Sequence, residues 1–160
     1  MGAFGKCSGL TNIKIPDSVI SIWNYAFSHC LNLERIIIPN SVTELGDEEV
    51  FYDCQKLTNI TIPDKITTIK DSLFRNCTGL TNIIIPDSVV HIHPWAFHGC
   101  SSDLTIICSQ GSVADTYAKE NGIKVRYNNI DISSILRFDE DGYLVVTIDG
   151  VEKRFSPETT

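Results

Sequence analysis

Apolar residues return along this chain in a fixed cadence. Residues 10–16 (LTNIKIP), 33–39 (LERIIIP), 57–63 (LTNITIP) and 80–86 (LTNIIIP) share one pattern, and their prolines fall 23, 24 and 23 residues apart. A second signature runs in phase with the first: an apolar residue, then Phe, two variable residues and Cys. It occurs at Ala3, Phe4 and Cys7; Ala26, Phe27 and Cys30; Val50, Phe51 and Cys54; Leu73, Phe74 and Cys77; and Ala96, Phe97 and Cys100. Between the signatures lie the pairs Val19 and Ile22, Val42 and Leu45, Ile66 and Ile69, and Val89 and Ile92. Such a period marks a stacked repeat, because one unit of this size cannot bury its apolar side alone.

Each unit reads as a short circuit. In Leu-x-x-Ile-x-Ile two inward residues alternate with an outward one, as in a strand, and the next proline has no N–H to continue a ladder. Pro-Asp-Ser, Pro-Asn-Ser and Pro-Asp-Lys then turn a corner. The next apolar pair fits a second short extended segment, and Ala-Phe-x-x-Cys fits one tight helical turn. The expected fold is a mainly β repeat protein, a right-handed solenoid with ladders of Leu, Ile, Phe and Cys along its axis. The chain starts inside a repeat, so an open apolar end and missing upstream units are expected, with self-association through that end.

At the other end Ile106 and Cys108 take the inward offsets of Ile83 and Ile85. Ser112 then reads as an N-cap, with Asp115 in the first turn, an apolar stripe of Ala114, Tyr117 and Ala118, and Gly122 as the stop. This helix and a strand over residues 123–127 should cap the stack, making 1–127 one solenoid domain. Residues 128–160 leave the period and read as a small β-meander over 135–138, 143–148 and 151–155, joined at Asp141-Gly142 and Asp149-Gly150. That appendage, or the start of a further domain, should dock on the cap or on a partner.

The paired signatures over residues 3–127 resemble the BspA-type leucine-rich repeats of bacterial and protist surface proteins. The resemblance implies an extracellular or cell-surface setting and adhesion-type binding of host or matrix proteins. It carries over no binding residue, since the family has no shared ligand motif.

Charge narrows the partners. A net charge of -7 disfavours nucleic acid and anionic membranes, and no apolar run is long enough to span a bilayer. A protein is the expected partner. The six cysteines sit in inward slots and read as free core thiols, with a disulfide or a metal as the alternatives. His91 and His93 share an outer face and read as solvated; a metal would need further ligands. Asp139-Glu140-Asp141-Gly142 reads as a turn, with half a calcium loop as the alternative. The run Glu44, Asp47, Glu48, Glu49 holds the extra residue of the second unit and should bulge outward on the convex side. Asn59 and Asn76 open glycosylation acceptor patterns. No phosphate loop, nucleophile elbow or catalytic cluster can be assembled, so no enzyme, cofactor or metal is expected.

Binding is expected on the outward strand positions. One column holds Lys14, Ile37, Thr61, Ile84 and Ile107, and beside it lie Asn12, Arg35, Asn59 and Asn82. Isoleucines at outward positions suggest a contact face, although β-propensity alone also places them in strands. The leading reading is a non-catalytic adhesion-type interaction module from a longer protein; a spacer with no ligand of its own is the alternative.

Overall fold

The structure is a computed structural model that describes residues 2–128, 136–140, 143–148 and 151–155. The chain divides into two compact units, Met1–Asn128 and Asn129–Thr160.

The first unit is a mainly β parallel solenoid of about 5 turns with one short helix. Its principal sheet collects one strand per turn: β1 (Asn12–Lys14), β3 (Arg35–Ile37), β5 (Asn59–Thr61), β7 (Asn82–Ile84) and β9 (Thr105–Cys108), closed by β10 (Lys124–Tyr127). All neighbours pair in parallel, with equivalent residues in register, Ile13 on Ile36 and Ile60 on Ile83 among them. After each proline corner a second, two-residue strand forms: β2 (Ser21–Ile22), β4 (Glu44–Leu45), β6 (Thr68–Ile69) and β8 (His91–Ile92). The inward ladders fill the core, where Leu33, Leu57, Leu80, Ile62 and Ile69 are fully buried.

The Ala-Phe-x-x-Cys segment closes each coil as two successive tight turns. Ser28 N donates to Tyr25 O and Cys30 N to Phe27 O, at 3.1 and 3.2 Å. The residue before each cysteine is left-handed, with φ of 63° at Lys6, 59° at His29, 59° at Asp53, 60° at Asn76 and 74° at Gly99. Only Gly adopts this conformation without cost, with Asn next best. It persists because it turns an N–H and a C=O along the axis: Lys6 N bonds Ser28 O, His29 N bonds Tyr52 O, and Asn76 N bonds His98 O.

Two further ladders run beside these bonds. Phe4, Phe27, Phe51, Phe74 and Phe97 stack nearly parallel, with centroids 5.4 to 5.6 Å apart. That exceeds the ~4.8 Å strand spacing, so the rings are offset, the favourable arrangement for π faces. The cysteines are more than space-fillers. Cys30, Cys54, Cys77 and Cys100 each donate Sγ–H to the Phe carbonyl of the preceding turn, at 3.1, 3.2, 3.0 and 3.1 Å. All six thiols are free. Burial pushes Cys54 and Cys100 up to about 12 and Cys77 well above its ordinary value, so these are poor nucleophiles.

One junction departs from the pattern. β4 and β6 lie in separate sheets, and β3 meets β5 at a single register pair, Arg35 with Asn59. The N–H groups of Ile15, Ile62 and Ile85 bond the next turn, whereas no such bond is formed by Ile38 among the described residues. The sequence accounts for this. The extra residue within 46–49 falls here, and Lys65 replaces the corner serine whose counterparts Ser41 and Ser88 donate to Val19 O and Ile66 O. Side chains bridge instead: Asn40 to the Asp64 carboxylate at 2.9 Å, and Lys70 to Asp47.

The helix α1 (Val113–Glu120) covers the last turn. Ser112 caps it by accepting from Asp115 N, and Gly122 turns the chain at φ 66°. The buried Asp115 carboxylate accepts from Gly111 N, Lys119 Nζ and Tyr127 OH. Lys119, chiefly, holds its pKa below the ordinary value. Tyr117 extends the aromatic stack beyond Phe97 and donates to Pro94 O.

The second unit is an antiparallel sheet of β11 (Leu136–Phe138), β12 (Leu144–Ile148) and β13 (Val151–Phe155) in that order. The turn residues Asp141-Gly142 and Asp149-Gly150 and the strand start at residue 135 lie outside the described residues. Asp139 accepts from Tyr143 N and Arg154 Nε, so its carboxylate serves the strand connection.

Candidate functional site

Strand alternation decides which side chains leave the core. In β3 and β5 the burial runs exposed, buried, exposed, and the parallel register aligns the outward residues of successive turns. Lys14 pairs with Ile37, Thr61 with Ile84, and Ile84 with Ile107; Asn12 pairs with Arg35, Arg35 with Asn59, and Asn59 with Asn82. The structure therefore brings all nine residues of the expected face onto one side of one sheet.

Their exposure is uneven. Ile37 and Ile84 are 45% and 38% exposed, but Ile107 is 6% exposed. The expectation of an exposed isoleucine at 107 needs correction. Ile107 is flanked in register by Ile84 and Arg126, because the sheet continues past it into β10. The stem of an arginine is apolar enough to lie over such a neighbour. Ile107 lines the floor of the face.

The face holds a groove of about 510 Å³, bordered by Arg35 and Ile37 at one end and by Ile84, Ile107 and Arg126 at the other. Its β3 end lies at the thinned β3–β5 pairing. The asparagines form a fixed polar row: Asn82 Nδ2 donates to Asn59 Oδ1 at 3.0 Å, and Asn12 and Asn59 donate to Thr11 and Thr58. Arg35, Lys14 and Arg126 are exposed and have no ion-pair partner among the described residues. Lys124, by contrast, bonds Asp103 at 2.7 Å and lowers the pKa of that carboxyl. Lys124 and Arg126 were absent from the expected face. The strand expected to close the stack carries them, and alternation in Lys-Val-Arg-Tyr was the only signal of the side they take.

Elsewhere several candidate polar groups are engaged. His93 approaches Asp71 at 3.3 Å, and His91 stands exposed in β8. In the acidic run, Asp47 meets Lys70 and Glu48 accepts from Tyr25 OH at 2.5 Å. The sequon residue Asn76 donates to Tyr52 OH. No group of His, Cys, Asp and Glu able to hold a metal occurs among the described residues, and no described helix is long and apolar enough to cross a membrane.

The sequence profile of the BspA type leucine rich repeat region matches residues 1–123 in six copies. The chain belongs to this family. Solved structures of leucine-rich-repeat proteins agree with the BspA-type assignment. A Treponema pallidum leucine-rich repeat protein is 31% identical with a TM-score of 0.61, over 66% of this chain and 49% of its own. One from Bacteroides ovatus is 28% identical with a TM-score of 0.65, over 78% and 32%. A leucine rich cell surface protein from Faecalibacterium prausnitzii is 26% identical with a TM-score of 0.57, over 92% and 39%. This chain spans between a third and a half of their lengths. Comparison with curated proteins returns no match. BspA-type and other leucine-rich arrays are generally protein-interaction modules and typically non-catalytic.

Proposed function

We propose that this BspA-type array is a non-catalytic, adhesion-type module that binds a protein at the cell surface through the outward face of its principal sheet. One observation carries the reading: Ile37 and Ile84 remain exposed on a face whose neighbouring arginines have no ion-pair partner among the described residues, around a groove of about 510 Å³. Apolar residues grouped with polar ones on one surface mark contact sites in soluble proteins. The surface setting is supported by the Faecalibacterium neighbour, described as a cell surface protein.

The test is binding of the immobilised chain to host-surface and extracellular-matrix proteins, with Arg35→Ala and Ile84→Asp as variants. Both positions are exposed, so circular dichroism should be unchanged. Saturable binding that either variant weakens supports the strand face. Binding indifferent to both, or none, favours a spacer.

A further inference from the structure

Resting on that strand-face reading, we propose that its occupant is an extended protein segment with two acidic side chains about six residues apart and apolar residues between them. The chain carries a net charge of -7, yet its two outward columns contain Lys14, Arg35, Lys124 and Arg126 and not one carboxylate. Of the carboxylates at the margins, Asp103 is engaged by Lys124, Asp64 by Asn40 and Asp87 by Ser109, while Glu34 stands exposed next to Arg35 in the chain. The cations without an ion-pair partner among the described residues stand at the two ends of the face, Lys14 and Arg35 on β1 and β3, and Arg126 on β10. Between them the exposed surface carries the apolar Ile37 and Ile84 beside Asn59 and Thr61, with Ile107 beneath.

Spacing sets the ligand's length. From β3 to β10 is four strand steps in the order β3-β5-β7-β9-β10, roughly 19 Å at ~4.8 Å per step. An extended chain crossing the strands advances ~3.3 Å per residue, so about six residues join a carboxylate on Arg35 to one on Arg126. The backbone groups of these strands are largely paired within the sheet, so recognition goes through side chains and not through an added strand. Each guanidinium offers a two-pronged donor that matches a carboxylate, and an acidic surface elsewhere makes this face the one where a negative segment meets least repulsion.

A random peptide display library panned on the full chain tests this. The expected result is enrichment of sequences with Asp or Glu five to seven residues apart around apolar residues. Dissociation constants should rise about tenfold or more on Arg35→Glu or Arg126→Glu, and should recover when the facing acid of the peptide is changed to Lys. Peptides lost on Ile84→Asp but indifferent to both arginine reversals overturn the acidic-segment inference and leave the strand-face reading intact. Absence of any peptide sensitive to Ile84→Asp overturns both. Binding of a sulfated polysaccharide that needs both arginines, without peptide enrichment, also overturns the inference, since the ligand is then a polyanion of another class.

Discussion

Phe51→Ala should be far more damaging than Phe4→Ala, although both remove a ring from the same stack. Phe51 is fully buried and stacked on both sides, against Phe27 at 5.6 Å and Phe74 at 5.4 Å. Phe4 is 41% exposed and stacks only on Phe27. Truncation of a buried phenylalanine costs about 3–5 kcal/mol, cavity included. Two lost stacks, each worth about 0.5–1.5 kcal/mol beyond the buried area, place Phe51 in the upper half of that range. That is at least several-hundredfold in the unfolding equilibrium at about 1.4 kcal/mol per tenfold. Phe4 gives up one stack and a half-buried ring, about 1.3–3 kcal/mol by the same reckoning. The assay is urea unfolding followed by circular dichroism and by fluorescence of Trp23 and Trp95, which lie on turns either side of Phe51. In a solenoid each turn is stabilised by its neighbours, so the two tryptophans should report separate midpoints in Phe51→Ala and nearly coincident ones in Phe4→Ala. Equal losses in the two variants would refute the ladder as a source of coupling between turns.

Lys65→Ser should restore the corner bond to the preceding turn and raise stability by about 0.5–1.5 kcal/mol, with slower amide exchange in residues 38–45; unchanged exchange there counts against the seam. The raised thiols have a pH consequence. Folding holds Cys54 and Cys100 protonated up to about 12, whereas the unfolded chain loses these protons near 9. Their contribution is therefore complete below pH 9 and lost as pH rises from 9 to about 12, and the loss between pH 7 and 10 should be smaller in Cys54→Ala. The same burial should protect Cys54 and Cys77 from alkylation at pH 8 until denaturant is added. Ser112→Ala removes the cap of α1 and should cost about 1 kcal/mol, seen first at Trp95 if the helix seals the last turn.

Much of this was legible because the period constrains so many residues at once. Inward Leu57, Ile60 and Ile62 and outward Asn59 and Thr61 follow from alternation alone, and the capping helix from Ser112 and Gly122. Features that arise between turns were not legible. A thiol donating to a carbonyl 26 or 27 residues earlier has no local signature, so cysteine read as a small hydrophobe. Left-handed His29 and Asp53 belong to residue types that only the stacked neighbour holds in place. Ile107 misled for a related reason: one of its register neighbours is Arg126, contributed by a strand that lies outside the repeat.

The bonds along the axis have one more property. Phe51 O accepts from Cys77 Sγ just as Phe27 O accepts from Cys54 Sγ, and His29 N meets Tyr52 O as Asn76 N meets His98 O. Every such bond joins a donor in one turn to the same kind of acceptor in an adjacent turn, the N–H groups pointing forward and the thiols back, so each cassette of about 23 residues ends in a surface complementary to its own beginning. A duplicated cassette inherits both halves of this join and needs no new side chain to be accommodated. Length in such an array is free to drift by gene duplication, and the sheet lengthens by one outward pair per copy. Selection can then extend or shorten a binding face without redesigning the core beneath it.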